Sequence, residues 1–268
     1  MSDANDQPAT ASTPTEVRYQ VADRVATITI DRPQRRNALS WQVIRDLRAA
    51  VARARDDDAA RVVVLTGAGD KAFSAGADLG QMVGGAPTET HVARGELGRL
   101  FQDLWAVGKP TIARVRGYAL AGGFGLALAC DLVVAADDAV FGAPEIDVGL
   151  WPMQITVPLL RSMPPKLVLE LMMTGRRVGA EEAQRLGFVS RVVGVDELDA
   201  AVAELAAVLA AKPPTVMRLG RDAFYAVLDQ PADAALAALH ALLTVVTQTE
   251  EAAEGSAAFA EKRPPRWA

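Results

Sequence analysis

Two short glycine-rich stretches hold the groups best suited to chemistry in this chain, and both offer backbone rather than side chains. The first is Ala72-Phe73-Ser74-Ala75-Gly76-Ala77-Asp78-Leu79; the second is Gly117-Tyr118-Ala119-Leu120-Ala121-Gly122-Gly123-Phe124-Gly125-Leu126. Glycine and alanine let a main chain approach a ligand closely. Gly122 stands where a helix can begin, so its N–H would be an unpaired donor at the positive end of the helix dipole. Paired with an N–H from the first stretch, it would polarise a carbonyl oxygen as that oxygen gains enolate charge. The same small residues also suit a helix that merely packs close to its neighbours, and the stretch alone does not separate the two readings.

Other chemistries fit less well. Gly67-Ala68-Gly69-Asp70-Lys71-Ala72 satisfies a loose dinucleotide fingerprint, but Phe73-Ser74-Ala75-Gly76 starts no amphipathic helix behind it, so a plain turn is the better reading. Ser74 as a nucleophile would want glycine at Ala72 and would need His240 as its base, yet His240 sits mid-helix between Leu239 and Ala241. The lone Cys130, at the end of an apolar run, reads as a buried thiol and allows neither a disulfide within the chain nor a cysteine-based zinc site. His91 and His240 are the only histidines, so no metal site is expected, although carboxylates alone can hold Mg²⁺.

Short elements must position these loops. Strands are predicted at 17–20 and 25–30 about the turn Ala22-Asp23-Arg24, and Ser40 caps a helix whose apolar residues Val43, Ile44, Leu47 and Val51 recur at helical spacing. Residues 61–65 and 111–115 read as buried strands flanking a helix at 89–107, and 132–135 and 140–142 as shorter ones. The segment 71–85 has no clear period, and 117–125 runs into a small-residue helix ending near Asp131. The last third is helical, at 165–174, 180–186, 196–211, 215–228 and 233–253, punctuated by Pro213-Pro214 and Pro231. This alternation fits an α/β core with a helical C-terminal extension.

Composition narrows the partners. Half of the 268 residues are hydrophobic, only 5% are aromatic, and the net charge of −5 comes from 33 acidic against 28 basic residues mixed along the chain. With no basic block, nucleic acid is an unexpected partner. The glycine-studded uncharged run 117–130 falls short of the ~20 residues a bilayer span needs. Residues 1–16 are polar and read as a disordered tail rather than a signal peptide or anchor. The expected location is cytoplasmic.

The ordered set Arg32-Pro33, Asn37-Ala38-Leu39, the two loops, Ala129-Cys130-Asp131, Phe141-Gly142-x-Pro144-Glu145, Thr174-Gly175 and Phe259-x-Glu261-Lys262-Arg263 resembles the enoyl-CoA hydratase/isomerase (crotonase) superfamily. The match runs without a break in order over about residues 17–266. The resemblance implies a crotonase-like spiral of ββα repeats with a helical C-terminal extension, assembled as a homotrimer or homohexamer. It implies a core at 17–195 carrying the acyl-CoA site, and an extension at 196–268 for oligomerisation and coenzyme A contacts. Ala77 and Gly122 would supply the oxyanion-hole N–H groups and Glu145 the catalytic carboxylate, although after Pro144 a glutamate can also simply cap the next turn. Ala75, Asp78, Leu79, Trp151 and Lys262 would meet substrate or coenzyme A, with Asn37 and Asp78 also bracing the loops. No cofactor is implied beyond the coenzyme A of the substrate.

Departures from the family pattern carry as much information. Family hydratases have a second glutamate two residues after the position of Gly123, where this chain has Gly125. They also tend to have glycine after the proline corresponding to Pro152, where this chain has Met153. Water addition usually engages two carboxylates, or one in two successive roles. One remaining glutamate points to double-bond isomerisation of an enoyl-CoA, in fatty-acid or related acyl-CoA metabolism. The alternatives are hydration by Glu145 alone or with Asp147 or Glu96, and a non-catalytic acyl-CoA binder.

Overall fold

The computed structural model describes residues 16–78, 80 and 86–267. β1 (Val17–Ala22) and β2 (Val25–Ile30) form an antiparallel hairpin. Its two turn residues, Asp23 and Arg24, both take positive φ, at 49° and 65°, as a tight hairpin turn matching the strand twist requires. Ser40 caps α1 (Trp41–Asp56) by accepting the Val43 N–H at 3.1 Å. The helix then buries Val43, Ile44, Leu47 and Val51 together with Ala50 and Ala54.

The chain next alternates between two sheets. β3 (Val62–Gly67), β5 (Thr111–Val115) and β7 (Leu132–Ala136) join one sheet, while β4 (Ala72–Ser74), β6 (Tyr118–Leu120) and β8 (Val140–Gly142) join the other. Between them lie α2 (Pro87–Trp105), after β4, and α3 (Gly122–Ala129), after β6. Each turn of this spiral gives one strand to each sheet, as the family resemblance implies. The large sheet has the order β1-β2-β3-β5-β7-β10, parallel except for β1, with β10 (Arg191–Val193) added last. The small sheet is β4-β6-β8-β9, parallel except for β9 (Arg177–Gly179). Its three-residue strands β4 and β6 lie inside the glycine-rich runs, where no alternation announces them.

The core follows from this layering. β3 is buried along its whole length. Its Val63 and Leu65 face the main core with α1 and α3, while Val62 and Val64 face a second cluster with Ile112, Val134 and α7 (Leu198–Ala210). Before α7 the chain adds α4 (Thr156–Ser162), α5 (Pro165–Thr174) and α6 (Ala180–Arg185); after it come α8 (Pro214–Val227), α9 (Ala232–Thr247) and α10 (Glu250–Ala260). The single helix expected at 233–253 is thus two. Thr249 starts α10 by accepting the Ala252 N–H at 3.1 Å, and the two axes bend by 69°.

A buried ion pair ties α8 to the core. Asp131, just past α3, accepts from Arg221 Nε at 2.8 Å, from the Thr111 N–H at 2.7 Å and from the Tyr225 hydroxyl at 2.6 Å. Arg221 also donates from Nη1 to the Trp105 carbonyl and from Nη2 to the Leu104 carbonyl. α9, by contrast, has no buried residue. Among the described residues no single helix is long and apolar enough to cross a membrane.

Candidate active site

The residues singled out by chemistry lie just beyond the C-terminal ends of three neighbouring strands. Ala77 is three residues past β4, Gly122 two past β6, and Glu145 three past β8. β4 pairs with β6 and β6 with β8, all parallel, so these ends lie side by side. Ligands of parallel α/β sheets collect at this edge.

The first loop is held by the segment before α1. Leu39 donates its N–H to the Gly76 carbonyl at 2.7 Å, and Asp78 donates to the Leu39 carbonyl at 3.0 Å, forming a parallel bridge of Leu39 with Ala77. A bridge of this pattern uses residues 76 and 78, so the N–H of Ala77 points away from residue 39. Among the described residues it has no partner. Gly76 has φ +90°, and a Cβ there would lie 2.6 Å from the Ala121 Cβ and 3.3 Å from the Gly122 nitrogen. Only glycine lets the two loops come this close.

The second loop delivers a matching donor. The Ala121 N–H donates to the Gly142 carbonyl at 2.9 Å, and Ala121 itself has φ 52° and ψ −126°, a conformation costly for a residue with a side chain. That turn starts α3 at Gly122, whose N–H is likewise unpartnered among the described residues. A Cβ on Gly122 would lie 3.9 Å from the Ala77 nitrogen, between Leu39 Cδ1 at 3.4 Å and Leu97 Cδ2 at 3.5 Å. Two free N–H groups therefore sit side by side against an apolar wall.

Glu145 sits in a 3-10 turn, Pro144–Val148, closed by Gly149 in the left-handed region. Its Oε2 is buried and has no hydrogen-bond partner among the described residues. Burial pushes its carboxyl up from the ordinary 4.5 to about 7, with its own backbone N–H pulling weakly the other way. A carboxyl with such a pKa holds both protonation states near neutrality, as proton transfer in both directions requires.

The other carboxylates considered from the sequence are differently placed. Glu96 is engaged by Arg48 and Arg99, and the hydrogen bond from Arg48 holds its carboxyl below the usual range. Asp147 is exposed beside the tight turn at Gly175. Position 125 offers no room for a longer side chain. A Cβ on Gly125 would lie 2.5 Å from Ile155 Cγ2, 2.7 Å from Ile155 Cβ and 3.2 Å from Phe101 Cζ. Among the described residues no three His, Cys, Asp or Glu side chains form a metal-binding group.

The remaining candidates separate. Ala75 donates its N–H to the Arg36 carbonyl at 2.9 Å beside the loop. Asp78 forms an ion pair with Arg32 at 3.3 Å, which makes it a brace. Trp151 and Met153 are exposed, and Lys262 follows α10 with an exposed side chain, apart in sequence from the three strand ends. Leu79 lies outside the described residues. Asn37 accepts the Arg32 N–H and donates to the carbonyls of Ala68 and Ala72, the bracing role expected of it. Sequence reasoning missed Ile155 and Leu97; the spacing of Leu97 with Leu100, Phe101 and Leu104 was the only available sign of an apolar wall.

A family model for enoyl-CoA hydratase/isomerase matches residues 20–268. The chain belongs to that family. It is 38% identical over 248 residues to the carnitinyl-CoA dehydratase of Escherichia coli K12, covering 91% of this chain and 94% of that one. The crystal structure of an enoyl-CoA hydratase from Mycobacterium smegmatis superposes with a TM-score of 0.91 at 33% identity, over 94% of this chain and 98% of that one. One from Bacillus anthracis gives a TM-score of 0.89 at 32% identity, with the same coverage. As a family member the chain is a crotonase-superfamily enzyme, built on the expected fold.

Proposed function

We propose that the protein binds an acyl-CoA thioester and shifts a carbon–carbon double bond, with Glu145 as the single proton-transfer group. The carboxylate removes a proton from C2 of a 3-enoyl thioester. The electron pair moves onto the thioester oxygen, where the N–H groups of Ala77 and Gly122 hold the dienolate. The resulting carboxylic acid then returns the proton at C4, leaving the double bond between C2 and C3. The observation that carries this reading is the buried, unpartnered Oε2 of Glu145 with a pKa of about 7, just past the end of a strand that neighbours those leading to the two unpaired N–H groups. The packing of Ile155 over Gly125 supports it, because a second carboxylate has no place there.

Hydration or dehydration by Glu145 alone is the second reading, favoured by the names of the relatives. In that case a 2-enoyl thioester takes hydroxide at C3 and a proton at C2. Ala75, Trp151 and Lys262 are the proposed substrate and coenzyme A contacts under either reading. α9 supports a homotrimer or homohexamer: Leu236, Leu239 and Leu243 are exposed along a helix that buries nothing within its own chain.

Purified protein should be offered 3-enoyl-, 2-enoyl- and 3-hydroxyacyl-CoA, with products identified by mass spectrometry. The expected result is isomerisation of the 3-enoyl thioester faster than hydration of the 2-enoyl one, with Glu145→Gln binding but not turning over. Hydration that outruns isomerisation selects the second reading. Turnover that survives Glu145→Gln removes Glu145 from the mechanism.

A further inference from the structure

Arg32 is buried, at 7% exposure, and all three nitrogens of its guanidinium donate hydrogen bonds. Nε donates to Glu16 Oε1 at 2.7 Å, Nη1 to the Ala38 carbonyl at 2.7 Å, and Nη1 and Nη2 both to Asp78 Oδ2 at 3.3 Å. Its backbone is fixed too, donating to Asn37 Oδ1 at 3.0 Å and accepting the Asn37 N–H at 2.9 Å. Ala38 and Asp78 are the residues next to the two members of the Leu39–Ala77 bridge, so the guanidinium closes that bridge from the side.

The bridge needs closing because of what precedes Ala77. Gly76, at φ +90°, is the residue type with the widest choice of backbone conformations. The plane of the Gly76–Ala77 peptide, and hence the direction of the Ala77 N–H, is fixed from outside the loop, through the Gly76 carbonyl that accepts the Leu39 N–H at 2.7 Å. That N–H belongs to the Ala38–Leu39 peptide whose carbonyl Arg32 holds, and Asp78, held by the same guanidinium, donates back to the Leu39 carbonyl. A planar fork with several donors holds Ala38 and Asp78 at once, which a lysine ammonium does not do.

We infer that Arg32 is a positioning residue for the reaction: through Asp78 and the Ala38 carbonyl it aims the Ala77 N–H at the thioester oxygen. This rests on the reading of Ala77 and Gly122 as the oxyanion hole. Arg32 touches no substrate itself. Its loss should lower turnover more than binding.

The test uses the full chain, Arg32→Lys and Asp78→Asn, with 4-(dimethylamino)cinnamoyl-CoA, whose absorption band moves to the red as its thioester carbonyl is polarised. Wild type should give a red shift on binding, and both variants a clearly smaller one. kcat should fall on the order of 10- to 100-fold, less than complete removal of an oxyanion donor costs, while KM changes by less than about threefold. If Arg32→Lys does not fold, Asp78→Asn decides by the same criteria. A full red shift and unchanged kcat in a folded variant overturn the role of Arg32 and leave the oxyanion hole standing. No red shift in wild type overturns the hole, and this inference with it.

Discussion

Replacing Glu145 by glutamine should stabilise the protein while it stops turnover, and the gain should depend on pH in a defined direction. The glutamate is ordinary in the unfolded chain, near 4.5, and burial lifts it to about 7 in the fold. That difference corresponds to about 3 kcal/mol between the neutral and charged forms. The folded state therefore binds the proton more tightly, and its favourable contribution is full below about 4.5 and lost as pH rises through about 7. Above pH 7 the wild type carries the whole cost of a desolvated carboxylate whose Oε2 has no partner, whereas glutamine, a close mimic of the neutral acid, carries none of it. Urea denaturation at pH 8.5 should place Glu145→Gln about 3 kcal/mol above wild type, against about 1 kcal/mol at pH 5. In thermal melts the pH 8.5 gap is worth roughly 6–12 °C for a chain of this size. A gap that is equal at both pH values, or a glutamine variant less stable at pH 8.5, would refute the claim that Glu145 is desolvated in the fold.

Glycines in helices provide a paired comparison. In Gly123→Ala the new Cβ would fall 2.4 Å from the Ser74 carbonyl oxygen, so overpacking of about 1–3 kcal/mol outweighs the gain in helix propensity, and thermal melts should show net destabilisation. In Gly95→Ala nothing lies within 4 Å, and the melting temperature should rise by the equivalent of up to about 1 kcal/mol; the opposite ranking of the two would contradict the packing described. Light scattering should give a mass of three or six chains, and Leu236→Glu with Leu243→Glu should lower it. A wild-type monomer would show that the apolar face of α9 serves another purpose.

The large sheet was readable from the sequence because its strands are runs such as Val62-Val63-Val64-Leu65, too apolar to lie anywhere but inside. The small sheet was not. β4 and β6 are three residues each, embedded in alanine and glycine, and they are strands only because they pair with each other and β6 pairs with β8. α4 passed unnoticed because it is a short helix just after the loop of Trp151 and Met153. The break at Thr249 looks like helix continuation until its hydroxyl is seen capping α10. At the candidate site, residue types and order were enough to pick out Gly122 and Glu145. The two facts that bear most on their chemistry were tertiary: Ile155 filling the space beside Gly125, and Arg32 reaching Asp78 across 46 residues.

The alternation of the spiral between two sheets has an evolutionary consequence. Each repeat commits one long strand to the sheet at the centre of both apolar clusters and one three-residue strand to the sheet whose ends carry Ala77, Gly122 and Glu145. Where the chain beyond those short strands is loop, as at Met153, a change alters what is bound without removing a layer of the core. Selection can therefore trade a glycine for a methionine at position 153 and explore a new reaction in one or two steps, whereas position 125, inside α3 and packed against Ile155, changes only together with its core neighbours. A chain built this way can diversify its chemistry faster than it loses its fold.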